Sequence, residues 1–260
     1  LFDLPTHGLY TFIEDDILTL DLDSLFSEAD AVIHLAAITD ATSSFNNQEK
    51  VQHNNFTTSL RISESCVTSN VNMFLISSTS VYGTQEKQVD ENCRCEELKP
   101  QSPYAETKLK EEALIKDKIE KEGLRAVILR LGTIFGTSPG MRFHTAVNKF
   151  CWQATLGQPI QVWRTAYDQM RPYLGVNDAS KAIAFVIKEN LFNGRIFNIV
   201  SSNATVRQII EVIRERYENA DIQFVESPIM NQLSYEVSAD RIKACGFFPR
   251  ENIRKGILDT

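Results

Sequence analysis

No glycine-rich turn occurs anywhere in this 260-residue chain; its 11 glycines all stand singly. A loop of small residues that lets backbone N–H groups close around a pyrophosphate is therefore missing from it. No apolar stretch approaches the ~20 residues of a membrane-spanning helix. No basic, apolar, small-residue leader opens the chain either. Basic residues are in deficit: the formal net charge is −7. That excludes the basic face of a nucleic-acid binder but not phosphate ligands, which a few local donors can hold. The five cysteines are odd in number and lack metal-ligand spacing. Cys93-Arg94-Cys95 reads as a surface loop of reduced thiols. Of the four histidines, His7, His53 and His144 form no spaced cluster, so no metal site is expected. His34, at a strand end, reads as structural. The class that survives is a soluble, cytoplasmic protein, expected to be an enzyme, with neither a nucleic-acid nor a membrane partner.

Hydrophobic residues make up 43% of the chain, enough for a packed core. Short β-rich apolar runs alternate with longer helical patterns, which marks a parallel sheet with helices on its faces. Strands are expected at Thr11–Glu14, Asp30–Leu35, Asn72–Ser77, Ala126–Leu131, Ile160–Trp163, Ile196–Val200 and Ile222–Val225. Helices are expected at Gln48–Ser69, from Ser102-Pro103 to Gly123, up to about Leu156, at Asp178–Glu189 and at Val206–Tyr217. Ser102 and Pro103 supply a capping hydroxyl and a proline at the first helical position, and Gly123 a stop. The expected fold is α/β, a doubly wound parallel sheet (Rossmann-like) with a smaller carboxyl-terminal lobe. The expected division is 1–132 with 174–200 for the sheet domain, and 133–173 with 201–260 for the second lobe. Ligands in such folds bind at the carboxyl ends of the strands.

The most informative local pattern is Tyr104-Ala105-Glu106-Thr107-Lys108, with Ser77-Ser78-Thr79-Ser80-Val81-Tyr82-Gly83 upstream at the end of an apolar run. Residues i and i+4 share a helix face, so Tyr104 and Lys108 lie together. An ammonium beside a phenol favours the phenolate and lowers the tyrosine pKa. With a strand-end hydroxyl on the same oxygen, these parts suffice to move a proton on or off an alcohol while a cofactor handles hydride. From the spacing alone, a half-buried helix tyrosine and a solvated lysine are the plain alternative.

In their order along the chain, these segments resemble the extended short-chain dehydrogenase/reductase family, the NAD-dependent epimerase/dehydratase group typified by UDP-glucose 4-epimerase. His34-Leu35-Ala36-Ala37 looks like its strand-end segment against the cofactor, and Asn55-Phe56-Thr57-Thr58-Ser59 like its helix motif with an asparagine near the nicotinamide. Ser77–Gly83 matches the serine-bearing strand end, where Ser78 takes the catalytic place by its four-residue offset from Tyr82. Tyr104–Lys108 matches the signature pair, and Arg171-Pro172-Tyr173-Leu174-Gly175-Val176-Asn177-Asp178 the segment whose arginine grips a substrate diphosphate. The resemblance implies catalysis by Tyr104, Lys108 and Ser78. It implies NAD contacts from Asp3 (adenosine ribose), Asp16 and Ile17 (adenine), Leu35, Ala36, Ala37, Asn55, Tyr104 and Lys108. It implies substrate contacts from Thr79, Thr133, Gln161, Val162 and Arg171. Thr133 stands where many members carry asparagine, and an acidic loop is the alternative for Asp16. Asn55 either supports the site or bridges backbone groups through water, and Arg171 has a salt bridge with Asp168 as its plain alternative.

The family's glycine-rich turn has no counterpart here. Leu1-Phe2-Asp3-Leu4-Pro5 looks like the end of the family's second strand, which implies roughly 30 further residues ahead of Leu1. The implied function is epimerisation of a nucleotide-sugar through a transient keto intermediate, in a homodimer paired through two helices including the one bearing Tyr104. A simple NAD(P)-dependent reductase or dehydrogenase is the alternative, and a non-catalytic nucleotide-binding relative a third. Dehydratases of the family place Asp-Glu directly after the catalytic hydroxyl; Thr79-Ser80 stand there instead.

Overall fold

The computed structural model describes residues 10–41, 43–85, 88–226 and 234–260. A short helix α1 (Leu22–Phe26) precedes β1 (Ala31–His34); α2 (Gln48–Thr68) crosses to β2 (Asn72–Ser78), and α3 (Pro103–Glu122) crosses to β3 (Ala126–Leu131). The chain then leaves the sheet through β4 (Thr133–Phe135), α4 (Ala146–Thr155), β5 (Ile160–Trp163) and β6 (Met170–Gly175). It returns through α5 (Val176–Lys188) to β7 (Ile196–Ile199), then runs through β8 (Ser202–Thr205), α6 (Val206–Arg216), β9 (Ile222–Val225), α7 (Asp240–Ala244) and α8 (Ile253–Asp259).

Strands β1, β2, β3 and β7 pair in that order, all parallel. Their side chains alternate between two cores, as the pleat requires. Met73, Leu75, Ala126 and Ile128 meet Leu22 of α1, Ile62 and Cys66 of α2 and Ile115 of α3 on one face. Phe74, Val127, Leu129, Phe197 and Ile199 meet Ala179, Ala182 and Val186 of α5 and Ile242 of α7 on the other. Both faces are covered, so the sheet is doubly wound, as the run of apolar strands implies.

The smaller lobe holds a three-stranded sheet, β4-β6-β8, and a two-stranded parallel pair, β5-β9. Its own core gathers Phe135, Val147, Phe150, Ile160, Tyr173, Ile209, Ile213 and Ile257. Successive residues of β6 serve both lobes: Tyr173 enters this core and Leu174 the main one. Tyr235, Val237 and Phe247, late in the chain, also pack into the main core.

Thr11–Glu14 is not a strand. An extended run becomes a strand only when a neighbour supplies the hydrogen-bond ladder, and among the described residues none pairs with it. Phe12 and Ile13 are instead about half exposed. Asp3 lies outside the described residues.

Helix α3 starts and stops as its sequence dictates. The Ser102 hydroxyl accepts from the Ala105 N–H at 3.2 Å, Pro103 opens the first turn, and Gly123 ends the helix in the left-handed region at φ 72°. Its rotation about its axis is set by a buried ion pair. Arg130 Nε and Nη2 donate to the two oxygens of Glu112 at 2.9 and 2.7 Å, and Ser77 Oγ donates to the same carboxylate at 2.6 Å. The guanidinium lies 4.8 Å from the centre of the Tyr82 ring, whose hydroxyl donates to Asn198 Oδ1 at 2.9 Å. Truncating one member of such a pair strands the other charge in the interior. Glu112→Ala is expected to cost about 3–5 kcal/mol, read as a fall in the urea midpoint at constant slope; a loss below about 1 kcal/mol would show that the pair does not set the helix.

Candidate active site

Three loops converge at the carboxyl ends of β1, β2 and β3. Strand β2 ends in Ser78, in register with Leu131 at the end of β3, and the chain turns through a tight 3-10 turn over Thr79–Tyr82. Gly83 closes it at φ 64°, where a β-carbon would run into the Lys99 carbonyl. The three neighbouring hydroxyls have different duties. Ser77 is spent on Glu112, and Thr79 Oγ1 donates to the Leu131 carbonyl at 3.2 Å. Ser78, half-buried, is the one whose hydroxyl acts on the Tyr104 phenol, favouring its ionised form. The Ser78 oxygen also accepts from Ser80, from its N–H at 3.2 Å and its hydroxyl at 2.9 Å. With both lone pairs so engaged, the Ser78 proton is directed to the phenol or to a ligand oxygen in its place.

Tyr104 sits in the first turn of α3, whose start is tied down by the Tyr104 N–H donating to Ser44 Oγ at 3.4 Å. Lys108 lies one turn on, its Nζ 5.9 Å from the Tyr104 ring centre. The spacing thus brings Tyr104, Lys108 and Ser78 together. The electrostatics differ from the sequence expectation, however: the Tyr104 pKa is raised, not lowered. Burial disfavours the phenolate most, and the Glu111 carboxylate adds to it; Lys108, Ser78 and Arg142 pull the other way and do not prevail. Lys108 is itself engaged by Glu111 at 2.7 Å, both side chains being buried.

Asn55, fully buried, needs no water to bridge backbone groups. Its Oδ1 accepts from the Ile38 N–H at 2.8 Å and its Nδ2 donates to the Ile38 carbonyl at 3.0 Å. It therefore clamps the loop that follows β1, and with it Leu35, Ala36 and Ala37, which are exposed or half-exposed at the strand end. His34 is buried with Nε2 3.0 Å from Ser59 Oγ, and burial, then the Lys108 charge, pulls its imidazole down to about 4. Asp16 is exposed and its carboxylate accepts from the Leu18 N–H at 2.9 Å, so it acts locally as a turn former. Arg61 of α2 holds this turn through the Ile17 carbonyl at 2.9 Å.

On the small lobe, Thr133 begins β4, half-buried. Gln161 is exposed, whereas Val162 points into the lobe core at 1% exposure; of that pair only Gln161 offers a side chain outward, because the pleat alternates. Arg171 does not pair with Asp168, which is taken by Arg207 at 2.6 Å. Arg171 donates to Gln169 at 3.1 Å through Nη2, and its Nε is buried without a partner. An unsatisfied guanidinium N–H is costly and suits an anionic ligand that restores the bond. Residues that sequence reasoning passed over are Glu111, Glu112, Arg130 and Arg142. Arg142 comes from the loop before α4, donates to Thr39, and its charge pulls the Tyr104 pKa down.

A cavity of about 750 Å³ lies elsewhere, lined by Asp90, Cys93, Glu96, Glu97 and Asp240 among others. Its acidic rim repels an anionic ligand, so the chemistry is assigned to the Tyr104 site, not to the larger space. The residues present fit the nicotinamide and ribose end of a dinucleotide: a phenol, an ammonium and an exposed small-residue strand end lie side by side. Among the described residues, none forms a glycine-rich turn for the pyrophosphate. No group of His, Cys, Asp or Glu among the described residues could hold a metal.

Comparison with known proteins gives the family and the fold. The model of the NAD dependent epimerase/dehydratase family matches residues 3–200, and the chain belongs to that family. It is 32% identical over 211 residues to the uncharacterized UDP-glucose epimerase YtcB of Bacillus subtilis, covering 79% of this chain and 64% of that one. It is 27% identical over 263 residues to the trifunctional UDP-glucose 4,6-dehydratase/UDP-4-keto-6-deoxy-D-glucose 3,5-epimerase/UDP-4-keto-L-rhamnose-reductase RHM2 of Arabidopsis thaliana, covering 96% of this chain and 38% of that one. The chain thus spans just under two thirds of one relative's length and well under half of the other's. Its fold matches that of UDP-glucuronic acid 4-epimerase from Bacillus cereus, solved with UDP-glucuronic acid and NAD. The TM-score is 0.89 at 24% identity, covering 98% of this chain and 81% of that one.

One consequence concerns pH. A histidine kept neutral by the folded state resists a proton that the unfolded chain accepts, so stability is present above the unfolded pKa near 6.5 and is lost as pH falls towards about 4. His34 is expected to account for about 3 kcal/mol of that loss. Urea titrations at pH 7 and pH 4.5 should show a smaller drop for His34→Gln than for the parent; equal drops would contradict the assignment.

Proposed function

From membership of that family we propose that the protein is an NAD-dependent epimerase of a nucleotide-sugar, acting through a transient keto intermediate. The observation that carries this reading is the convergence of Tyr104, Lys108 and Ser78 at the ends of β2 and α3, on the same side of the sheet as the exposed strand end Leu35–Ala37. When bound, NAD supplies the hydride acceptor and donor and a positive ring beside the phenol. Tyr104 takes the proton of a sugar hydroxyl and later returns it. Ser78, its own oxygen saturated by Ser80, donates to that sugar oxygen throughout. Lys108 stabilises the phenolate, and Arg171 completes its bonding on the substrate diphosphate. Thr79, Thr133 and Gln161 line the substrate path, and the Val162 backbone runs along the nucleotide base. Leu35, Ala36 and Ala37, positioned by Asn55, face the dinucleotide, with Asp16 and Ile17 towards its adenine; the sequence resemblance alone gives Asp3 the ribose. In this reading 1–132 with 174–200 binds the cofactor, and 133–173 with 201–260 binds the sugar nucleotide.

Loss of water from the sugar, the dehydratase reaction, needs an ionisable acid and base beside the catalytic hydroxyl. Thr79 and Ser80 offer neither, and both hydroxyls are already bonded. A simple reductase or dehydrogenase is the second reading, since the same three groups serve one-way hydride transfer. A non-catalytic nucleotide-binding role is the third. The five free thiols suit a cytoplasmic setting, and the family resemblance supports a homodimer paired through two helices, α3 being one of them.

Incubation with NAD+ and a panel of UDP-, GDP- and dTDP-sugars is expected to interconvert one epimer pair without net NADH. Tyr104→Phe should lower turnover about 10²–10⁴-fold while leaving cofactor affinity near that of the parent. Steady accumulation of NADH would point to the dehydrogenase, and full biological activity in Tyr104→Phe to the binding role.

A further inference from the structure

Glu111 is an unusual neighbour for an acid–base pair. It lies on the buried face of α3, fully inaccessible, and neither of its oxygens meets a hydrogen-bond donor in good alignment. Its compensation is the Lys108 ammonium, 2.7 Å away and three residues earlier on the helix, with side chains 0% and 4% exposed. Contact at that distance without hydrogen-bond alignment is attraction between charges, not a geometrically satisfied bond. The adjacent acid behaves differently: Glu112 is saturated by Arg130 and Ser77. The charged and titratable groups that face Tyr104 are Lys108 and Glu111 on its own helix, Ser78 at the end of β2 and Arg142 from the loop before α4. His34 of β1 faces Lys108 and is neutral near pH 7. Of the two buried carboxylates on this face, Glu112 is spent on Arg130 and Ser77, and Glu111 sits on the one lysine that the phenol needs.

We propose that Glu111 is a positioning residue that competes with the Tyr104 hydroxyl for the Lys108 ammonium, keeping the phenol protonated in the free protein. A ligand hydroxyl group that draws Lys108 towards itself relieves the competition, so base strength appears only when the site is filled. Premature proton abstraction is thereby avoided. The inference rests on the acid–base role assigned to Tyr104, but its physical content is testable in the protein without cofactor.

The experiment is an ultraviolet titration of tyrosinate in the full chain, with the Tyr104 component identified by its loss in Tyr104→Phe. In Glu111→Gln, which keeps shape and removes charge, the Tyr104 midpoint is expected to fall by about one pH unit or more. Glu111→Asp, which withdraws the carboxylate by about one methylene, should shift it in the same direction by less; this variant decides the matter should the glutamine variant not fold. An unchanged or higher midpoint in whichever variant is folded overturns the proposal. In the pH profile of kcat/KM, which reports the protein before the ligand binds, the rising limb should move down by the same amount in Glu111→Gln, a shift that a merely structural role would not produce. Failure of the functional reading is separate: it would appear as retained turnover in Tyr104→Phe, whatever the titration shows.

Discussion

The bidentate pair between Arg130 and Glu112 is the constraint on which the site depends. Glu112 lies one turn beyond Lys108 and two beyond Tyr104, on the same face of α3, and Arg130 stands in the middle of the sheet. The same carboxylate accepts from Ser77, the residue next to Ser78. One buried group therefore fixes the height and rotation of the helix over β3 and its distance from the end of β2. A slip of one residue in that contact would turn Tyr104 away from Ser78 by about 100°. Because desolvated ion pairs are weak sources of stability but severe when broken, this pair specifies an arrangement more than it strengthens the fold.

Much of the architecture was legible because each element announces itself locally. The caps Ser102 and Gly123 bracket α3, and Ala126–Leu131 and Ile160–Trp163 are read at their observed bounds. Thr11–Glu14 has the composition of a strand and no described partner, which shows where local reading stops: a ladder is a property of two segments. The charged stripe on α3 was hidden for a related reason. Its buried positions read Pro103, Ala105, Thr107, Lys108, Glu111, Glu112, Ile115 and Lys118, a 3–4 spacing that marks an inward face only to an eye not restricted to apolar residues.

At the site, residue type and spacing sufficed to gather Tyr104, Lys108 and Ser78, since helix and strand geometry place them. Their charges were not legible. Lowering of the phenol by Lys108 presumes a free ammonium in water, whereas the structure gives that ammonium to Glu111 and half-buries the phenol. Val162 likewise follows the pleat into the core, and Asn55 acts on Ile38 directly. Arg171 shows the converse: its plain alternative, a salt bridge with Asp168, is not formed because Arg207 holds Asp168, and its Nε is buried without a partner.

The most direct test is a crystal structure of this chain grown with NAD+ and a UDP-sugar. The account predicts density for the nicotinamide beside Tyr104, with Tyr104 Oη and Ser78 Oγ both within hydrogen-bond distance of one sugar oxygen and Arg171 on the diphosphate. Ligand density in the acidic cavity by Asp90 and Glu97, or a sugar whose oxygens meet neither Tyr104 nor Ser78, would contradict it.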